Sequence, residues 1–211
     1  MSIVDSRLRP TFELEAVELQ LGGGPIAGVD EAGRGPWAGP VVAAAVVLDP
    51  NDIPSGIDDS KALDADAREI VYQRIQAKAL AIGVAIAGPD RIDRDNILNA
   101  TMWAMASAVA GLRVAPRLAL IDGNRLPPLG IERRAIVKGD AKCLSIAAAS
   151  IIAKVTRDRI MIALARELPG YGFERHKGYG TPEHRDAIQR LGVTDHHRRS
   201  FKPVQLALGL V

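Results

Sequence analysis

The sequence predicts an α/β protein in which helices pack on a mixed β-sheet. Its 211 residues are 47% hydrophobic and 25% charged, a composition typical of a globular domain. Short apolar runs come first and then alternate with longer amphipathic segments, which is the order expected of a sheet covered by helices. Aromatic residues make up only 4% of the chain, so we expect a core built from Ala, Val, Ile and Leu.

The first third of the chain contains two predicted helices and two predicted strands. Residues 11–21 have helical apolar spacing and stop at three consecutive glycines, which predicts a helix. The apolar runs 26–30 and 41–48 lie on either side of a glycine-rich turn, and the second is typical of a buried strand. Residues 64–79 are amphipathic and open on Asp64, which predicts a capped helix.

The middle of the chain continues this alternation. The apolar run 80–87 ends at a Gly-Pro pair and is interpreted as another buried strand. Residues 93–111 have helical spacing, and residues 117–121 form an apolar run that stops at an Asp-Gly turn. Together with the shorter run 134–137, they predict a helix followed by two strands.

The last third of the chain is predicted to be mainly helical. Residues 143–168 are Ala-rich and uninterrupted up to a Pro-Gly pair, which predicts one long helix. Residues 182–191 open on a proline suited to a first helical turn. Residues 171–181 are interpreted as a loop and residues 196–202 as a basic turn. We expect an N-terminal helical extension, a core and a C-terminal helical segment at residues 1–24, 25–168 and 169–211.

The net charge of +2 results from two unequal halves. Residues 1–110 contain 9 Lys or Arg and 16 Asp or Glu, whereas residues 111–211 contain 18 and 9. The basic half indicates either an anionic partner or charges that intermix on one folded surface. The scarcity of aromatic residues argues against a surface that holds nucleic acid mainly by base stacking.

Cysteine usage and hydropathy exclude several other classes. Cys143 is the only cysteine, which excludes an intrachain disulfide and a cysteine-based zinc site. Asp5, Arg7 and Arg9 stand where a signal peptide needs an apolar core. Because no apolar run approaches the roughly 20 residues of a membrane span, we expect a soluble cytoplasmic protein without membrane contact.

Four carboxylates occur beside glycine-rich turns. Asp30 and Glu31 end the first strand, Asp122 ends a later one, and Asp140 precedes the long helix. Such residues are either turn formers and helix caps or a cluster at one sheet edge, where ligands bind. A cluster would suit two Mg²⁺ ions, which can activate water and stabilise a leaving oxygen. Because adjacent strand residues face opposite sides, we expect the strand to break at Glu31.

Six segments of the chain, in order, resemble the ribonuclease HII family of type 2 ribonucleases H. They are GVDEAGRGP at 28–36, DSK at 59–61, IDGN at 121–124, KGDAKCLSIAAASIIAKVTRD at 138–158, HKGYGT at 176–181 and HHRRSF at 196–201. The resemblance implies a ribonuclease H-like fold, with a mixed five-stranded sheet flanked by helices and a C-terminal helical segment. Residues 25–168 would then be the catalytic core.

The same resemblance implies a metal-dependent endonuclease that uses two Mg²⁺ or Mn²⁺ ions. Its substrates would be RNA–DNA hybrids and duplex DNA with a single embedded ribonucleotide. Cleavage would occur on the 5′ side of the ribonucleotide and leave 3′-hydroxyl and 5′-phosphate ends. We expect a monomer, and the sequence names no protein partner such as a sliding clamp.

The resemblance also assigns roles to individual residues of this chain. The metal-binding and catalytic carboxylates fall on Asp30, Glu31, Asp122 and Asp140. The residues expected to bind substrate are Gly33, Arg34 and Gly35 at the 2′-hydroxyl side, Lys61 at a phosphate and Tyr179 at the sugar. Backbone approach to a ribose suits glycine, and recognition of the 2′-hydroxyl is what separates RNA from DNA.

Several alternative interpretations remain open at this stage. The glycines of 33–39 could form a dinucleotide-binding loop, although a strand rather than a helix is predicted to follow. Ser150 and Lys154, one helical turn apart, could form a Ser–Lys hydrolase pair. By default the four histidines are structural or lie on the surface, although His176 could lie near the substrate. Arg198-Arg199 is a solvated face by default, and a phosphate contact if it lines the groove. The rival functions are a nuclease of the same fold without ribonucleotide specificity and a non-catalytic nucleic-acid-binding domain.

Overall fold

A computed structural model describes residues 9–211, so the predictions for Asp5 and Arg7 lie outside the described residues. The strands are β1 Ile26–Ala32, β2 Val41–Val47, β3 Ala81–Ala87, β4 Leu118–Asp122 and β5 Glu132–Ile136. The helices are α1 Glu13–Gly22, α2 Ala65–Lys78, α3 Pro89–Ala110, α4 Leu144–Glu167, α5 Phe173–His176, α6 Pro182–Leu191 and α7 Lys202–Ala207. A single 3-10 turn, Gly139–Ala141, precedes α4.

The five strands form one mixed sheet in the order β3-β2-β1-β4-β5. The chain runs antiparallel from β1 to β2 to β3, whereas β4 and β5 are parallel to β1. This arrangement confirms the predicted mixed five-stranded sheet with helices on both faces and toward the C-terminus. The pairing of β1 with β4 ends at Val29 and Ile121, but the pairing of β1 with β2 continues to Ala32.

Alternate residues of β2 serve two separate cores. Ala44 and Val46 pack toward α2 and α4, while Ala43 and Ala45 pack toward α3, as the period of two in a strand requires. The small side chains of α4 let it lie close to β1. A Cβ atom at Gly28 would meet the Ser145 carbonyl carbon at 2.1 Å, so this approach requires glycine.

Several elements differ from the sequence-based predictions. The strand β3 is not fully buried, because it lies at the sheet edge with Val84 and Ile86 exposed. The helix α3 begins at Pro89 rather than Asp93 and has a break at Asn96, whose φ is +63°. The Asn96 side chain accepts a hydrogen bond from the Asn99 N–H, so it caps the second part of α3. The short helices α5 and α7 were missed, because each is shorter than a reliable periodic pattern.

The segment after α4 packs directly on the loop between β1 and β2. Trp37 N–H donates to the Gly178 carbonyl at 2.8 Å, and Gly39 N–H donates to the His196 carbonyl at 2.8 Å. The C-terminal residues therefore help to shape the surface at the end of β1. The three-part division of the chain stays a prediction. None of the helices at residues 9–211 is both long enough and apolar enough to cross a membrane.

Candidate active site

A cleft of about 400 Å³ opens at the end of β1, where β4 no longer pairs with it. It contains all nine residues predicted to form the site. Its lining residues are Asp30, Glu31, Ala32, Gly33, Arg34, Gly35, Ser60, Lys61, Asp122, Asp140, Ser150, Lys154, Arg157 and Tyr179. Residues far apart in sequence thus meet at one sheet edge, as expected for a ligand site on such a sheet.

Asp30 and Glu31 reach the cleft without the predicted strand break. The prediction that β1 ends at Glu31 is wrong, since Glu31 pairs with Ala43 of β2 and the strand runs on to Ala32. What opens the site is the departure of β4 after Val29. Asp30 is buried, and one of its oxygens accepts the Glu31 N–H at 2.7 Å.

Asp122 and Asp140 are brought together by the turn before α4. Asp122 is the last residue of β4, and its Oδ1 accepts a hydrogen bond from the Gly139 N–H at 2.7 Å. Lys138 adopts a left-handed conformation with φ +57° that folds the chain into the 3-10 turn. Asp140 therefore lies beside the end of β4 instead of capping α4, whose N-cap is Cys143.

The carboxylates repel one another inside this cleft. Burial raises the pKa of Asp30 well above its ordinary value, and the charges of Glu31 and Asp122 raise it further. Burial likewise raises the pKa of Glu31, against the lowering effect of Arg34. For Asp122, burial and then the charge of Asp140 raise the pKa. A bound cation would relieve this repulsion and restore the charged forms.

The donor atoms fit a hard divalent cation. All four acidic side chains offer carboxylate oxygens, the ligands that Mg²⁺ and Mn²⁺ prefer. Within residues 9–211, no three His, Cys, Asp or Glu side chains are already arranged as a cage for a metal. Instead, Lys61 Nζ lies 3.2 Å from Asp140 Oδ2 and Arg34 Nη1 lies 3.3 Å from Glu31 Oε1. Metal binding would require Asp140 and Glu31 to give up their contacts with Lys61 and Arg34 in favour of a metal ion.

The predicted substrate-binding residues form one wall of the cleft. The Gly33 φ angle is +94°, and a Cβ atom there would lie 1.9 Å from Arg157 Nε, so only glycine fits. A Cβ atom at Gly35 would lie 3.7 Å from Tyr179 Cε1, which places this backbone beside the ring. Tyr179 is 47% exposed, leaving much of its side chain open to a ligand.

The helix α4 supplies cleft residues that the sequence analysis did not assign. Ser150 Oγ lies 2.9 Å from Ser60 Oγ, while Lys154 Nζ lies 2.7 Å from Asp158 Oδ1. The Ser–Lys pair is therefore not formed, and the strand that follows Gly39 excludes the dinucleotide-binding loop. Spacing of three and four residues along α4 is the signal that could have placed Ser150, Lys154 and Arg157 on one face.

Three histidines lie in a buried network below the segment that carries Tyr179. The rings of His176 and His184 are stacked with centroids 4.6 Å apart, and His184 Nε2 lies 3.1 Å from His197 Nε2. His184 Nδ1 lies 3.0 Å from the Tyr179 carbonyl oxygen. Burial lowers the pKa of His184 and His197 to about 4. These three histidines pack on the buried side of the segment that carries Tyr179. Of the four histidines, only His196 is exposed.

Arg198 contradicts the prediction of a solvated basic face. Its side chain is completely buried, whereas that of Arg199 is 57% exposed. Arg157 is buried as well, at 1% exposure. Sequence reasoning missed both residues, because their acceptors are backbone carbonyls that no residue pattern reveals.

Comparison with known proteins finds one matching family model and several similar sequences. The family model described as Ribonuclease HII matches residues 27–204. The Ribonuclease HII of Azorhizobium caulinodans is 57% identical over 195 residues, which cover 92% of this chain and 75% of that protein. The Ribonuclease HII of Bradyrhizobium diazoefficiens is 56% identical over 200 residues, covering 95% and 76%.

Solved structures agree with this comparison. Ribonuclease H2 of Pyrococcus horikoshii has a TM-score of 0.74 at 30% identity, covering 87% of this chain and 96% of that one. The RNase HII of Archaeoglobus fulgidus, solved as a PCNA complex, has a TM-score of 0.73 at 28% identity, covering 84% and 95%. Bst-RNase HIII in complex with Mn²⁺ has a TM-score of 0.67 at 22% identity, covering 90% and 71%, and shares the fold.

Proposed function

The chain belongs to the ribonuclease HII family, and we propose that the cleft at the end of β1 carries out the reaction of that family. Its members are endonucleases that cleave RNA in RNA–DNA hybrids and cleave duplex DNA at single embedded ribonucleotides. Cleavage occurs on the 5′ side of the ribonucleotide and leaves 3′-hydroxyl and 5′-phosphate ends. The observation that carries the proposal is the meeting of four carboxylates with the Gly33–Gly35 backbone and Tyr179 in one cleft.

Asp30, Glu31, Asp122 and Asp140 would hold two Mg²⁺ or Mn²⁺ ions. Support comes from their oxygen donors and from the raised pKa of Asp30, Glu31 and Asp122, since a cluster of buried like charges favours bound cations. When bound, such ions lower the pKa of an attacking water and stabilise the leaving oxygen of a phosphodiester. The proposal assigns metal binding to these side chains and substrate placement to the rest of the cleft.

Lys61 is well placed to exchange a carboxylate for a substrate phosphate. Its side chain is 76% exposed and reaches Asp140 at 3.2 Å. Burial alone would lower the pKa of Lys61, but the hydrogen bond to Asp140 and the charges around it raise the pKa, so the amine stays cationic. A flexible ammonium group binds phosphate as a point charge, without sequence preference.

Ribose recognition belongs to the wall formed by Gly33, Arg34, Gly35 and Tyr179. Backbone N–H and C=O groups can approach a 2′-hydroxyl closely where no side chain intervenes. The Tyr179 ring, beside Gly35, can pack on the sugar at the RNA-to-DNA step. A deoxyribose would leave the backbone groups unpaired, which is the physical basis for selection.

The deciding experiment uses three duplexes of the same sequence. One carries a single internal ribonucleotide, one is all DNA, and one is an RNA–DNA hybrid, each incubated with Mg²⁺ or Mn²⁺. We expect cleavage of the first and third only, at the 5′ side of the ribonucleotide in the first. Equal cleavage of the ribonucleotide and all-DNA duplexes, or no cleavage of either, would contradict the proposal. Cleavage of the hybrid alone would favour a nuclease of the same fold without single-ribonucleotide specificity.

A further inference from the structure

Two buried arginines, Arg198 and Arg157, contact the Gly33–Pro40 loop between β1 and β2, which carries three residues of the proposed ribose-binding wall. We propose that Arg198, assisted by Arg157, is a positioning residue that orients the peptide planes of this loop so that backbone N–H groups face the cleft. Selection of the ribose 2′-hydroxyl would then depend on a side chain that does not touch the substrate. This inference rests on the proposed function.

Arg198 binds three carbonyl groups of the Gly33–Pro40 loop at once. Its Nη2 donates to the Gly33 carbonyl at 2.5 Å, its Nη1 to the Arg34 carbonyl at 2.8 Å and its Nε to the Gly39 carbonyl at 2.9 Å. The loop thus wraps around one guanidinium group. Its planar set of donors matches three fixed acceptors in a way that a single ammonium group cannot.

Arg157 completes the support from α4. Its Nε donates to the Pro40 carbonyl at 2.9 Å, and its Nη2 donates to the carbonyls of Ala38 at 3.2 Å and Lys177 at 3.0 Å. The Arg157 guanidinium carbon also lies 6.0 Å from the centroid of the Tyr179 ring. Arg157 therefore joins the loop to the segment that carries the tyrosine.

The direction of the carbonyls decides the direction of the N–H groups. In a planar trans peptide, the C=O of one residue and the N–H of the next point in opposite directions, and the described residues contain no cis peptide. Because the carbonyls of Gly33 and Arg34 point inward to Arg198, the N–H groups of Arg34 and Gly35 point away from it. Both residues line the cleft, so these donors face the place where a sugar would bind.

The cost of this arrangement indicates a role beyond filling space. Burial and then the nearby charge of Arg157 lower the pKa of Arg198 to about 9. In the described part of the chain, neither arginine forms an ion pair with a carboxylate. An apolar side chain of similar volume would avoid two neighbouring buried charges. An apolar side chain, however, could not hold the loop carbonyls in a fixed direction.

The test compares Arg198→Met with Arg199→Met, its exposed neighbour. The substrates are two duplexes that differ only in a 2′-hydroxyl or a 2′-fluoro group at the single ribonucleotide. For native protein and Arg199→Met, kcat/KM should strongly favour the hydroxyl. In Arg198→Met this preference should fall about tenfold, the scale of one lost hydrogen bond to the substrate, with the rate on the fluoro duplex retained. An equal loss on both duplexes, or an unchanged preference, would overturn the inference alone.

Two further variants cover the case in which Arg198→Met fails to fold. Arg198→Lys keeps the positive charge but not the three-way contact, so its preference should also fall. Arg198→Ala leaves space for ethylguanidinium, which should restore the preference when it is added. Native preference in Arg198→Lys, or no recovery in folded Arg198→Ala, would contradict the positioning role. Failure of the native protein to cut the ribonucleotide duplex would instead remove the proposed function.

Discussion

Acidification should destabilise the protein through two of the three buried histidines, His184 and His197. The hydrogen bonds define one direction of donation: Thr194 N–H to His197 Nδ1, His197 Nε2–H to His184 Nε2, and His184 Nδ1–H to the Tyr179 carbonyl. This order is assigned from the bonding partners. An added proton on His184 Nε2 would place two donors against each other. The folded network therefore requires both rings to be neutral.

The size of the effect follows from the pKa of each ring. Burial lowers the pKa of His184 and His197 from 6.5 to about 4. At pH 5 the unfolded chain then holds almost one more proton per histidine than the folded protein. Stability from this source is complete above pH 6.5 and is lost as the pH falls toward 4. Integrating the proton difference down to pH 5 gives about 2 kcal/mol for each ring, a large share of a typical total of about 5–15 kcal/mol.

Urea unfolding followed by circular dichroism at pH 7 and pH 5 measures this loss. The raised pKa values of Asp30, Glu31 and Asp122 act with the opposite sign, because the folded state binds protons more tightly there. The informative quantity is therefore the difference between native protein and the double variant His184→Gln/His197→Gln. The double variant should lose about 2–4 kcal/mol less between the two pH values. Equal losses in the two proteins would refute the reasoning, and exposed His196→Gln is the matched control.

Three other substitutions test the cleft directly. Asp30→Asn should abolish cleavage yet raise the free energy of unfolding measured without metal, since it removes a buried charge that other carboxylates repel. The cleavage assay and urea unfolding measure these two effects. A lower free energy of unfolding would contradict the account. Tyr179→Ala should lower the rate on the single-ribonucleotide duplex about tenfold with little change in stability, because the ring is half exposed. Lys61→Gln should raise KM on every substrate and reduce the slope of log affinity against log salt by about 1; an unchanged slope would remove the phosphate contact.

Parts of the fold and site could be predicted because they depend on local pattern. The apolar run of β2 and the Asp64 cap of α2 were both correct, since burial period and capping are properties of neighbouring residues. The break in α3 at Asn96 was not foreseen. A single residue with positive φ leaves little trace in helical spacing, because the apolar positions resume on the other side.

The chemical type of the candidate site was also readable from sequence. Acidic residues beside glycine-rich turns suggested either turns and helix caps or a cluster of oxygen ligands, and the structure brings Asp30, Glu31, Asp122 and Asp140 into one cleft. The way in which Asp30 and Glu31 reach it was wrong, however. The length of a strand depends on which neighbouring strand continues to pair with it. The pairing of β1 with β2 continues to Ala32, whereas its pairing with β4 ends at Val29.

The sequence by itself determined the class of fold, the ligand chemistry of the carboxylates and the identity of the loop residues near them. The fold class and the ligand chemistry follow from short-range periodicity and side-chain chemistry, whereas the loop residues were identified by the resemblance to the ribonuclease HII family. Only the tertiary structure decided that Arg198 is buried, because its three acceptors are carbonyls of the Gly33–Pro40 loop, roughly 160 residues away along the chain. The same holds for the histidine network. Whether a polar side chain is a solvated surface group or an internal support depends on what folds over it, and no local pattern contains that information.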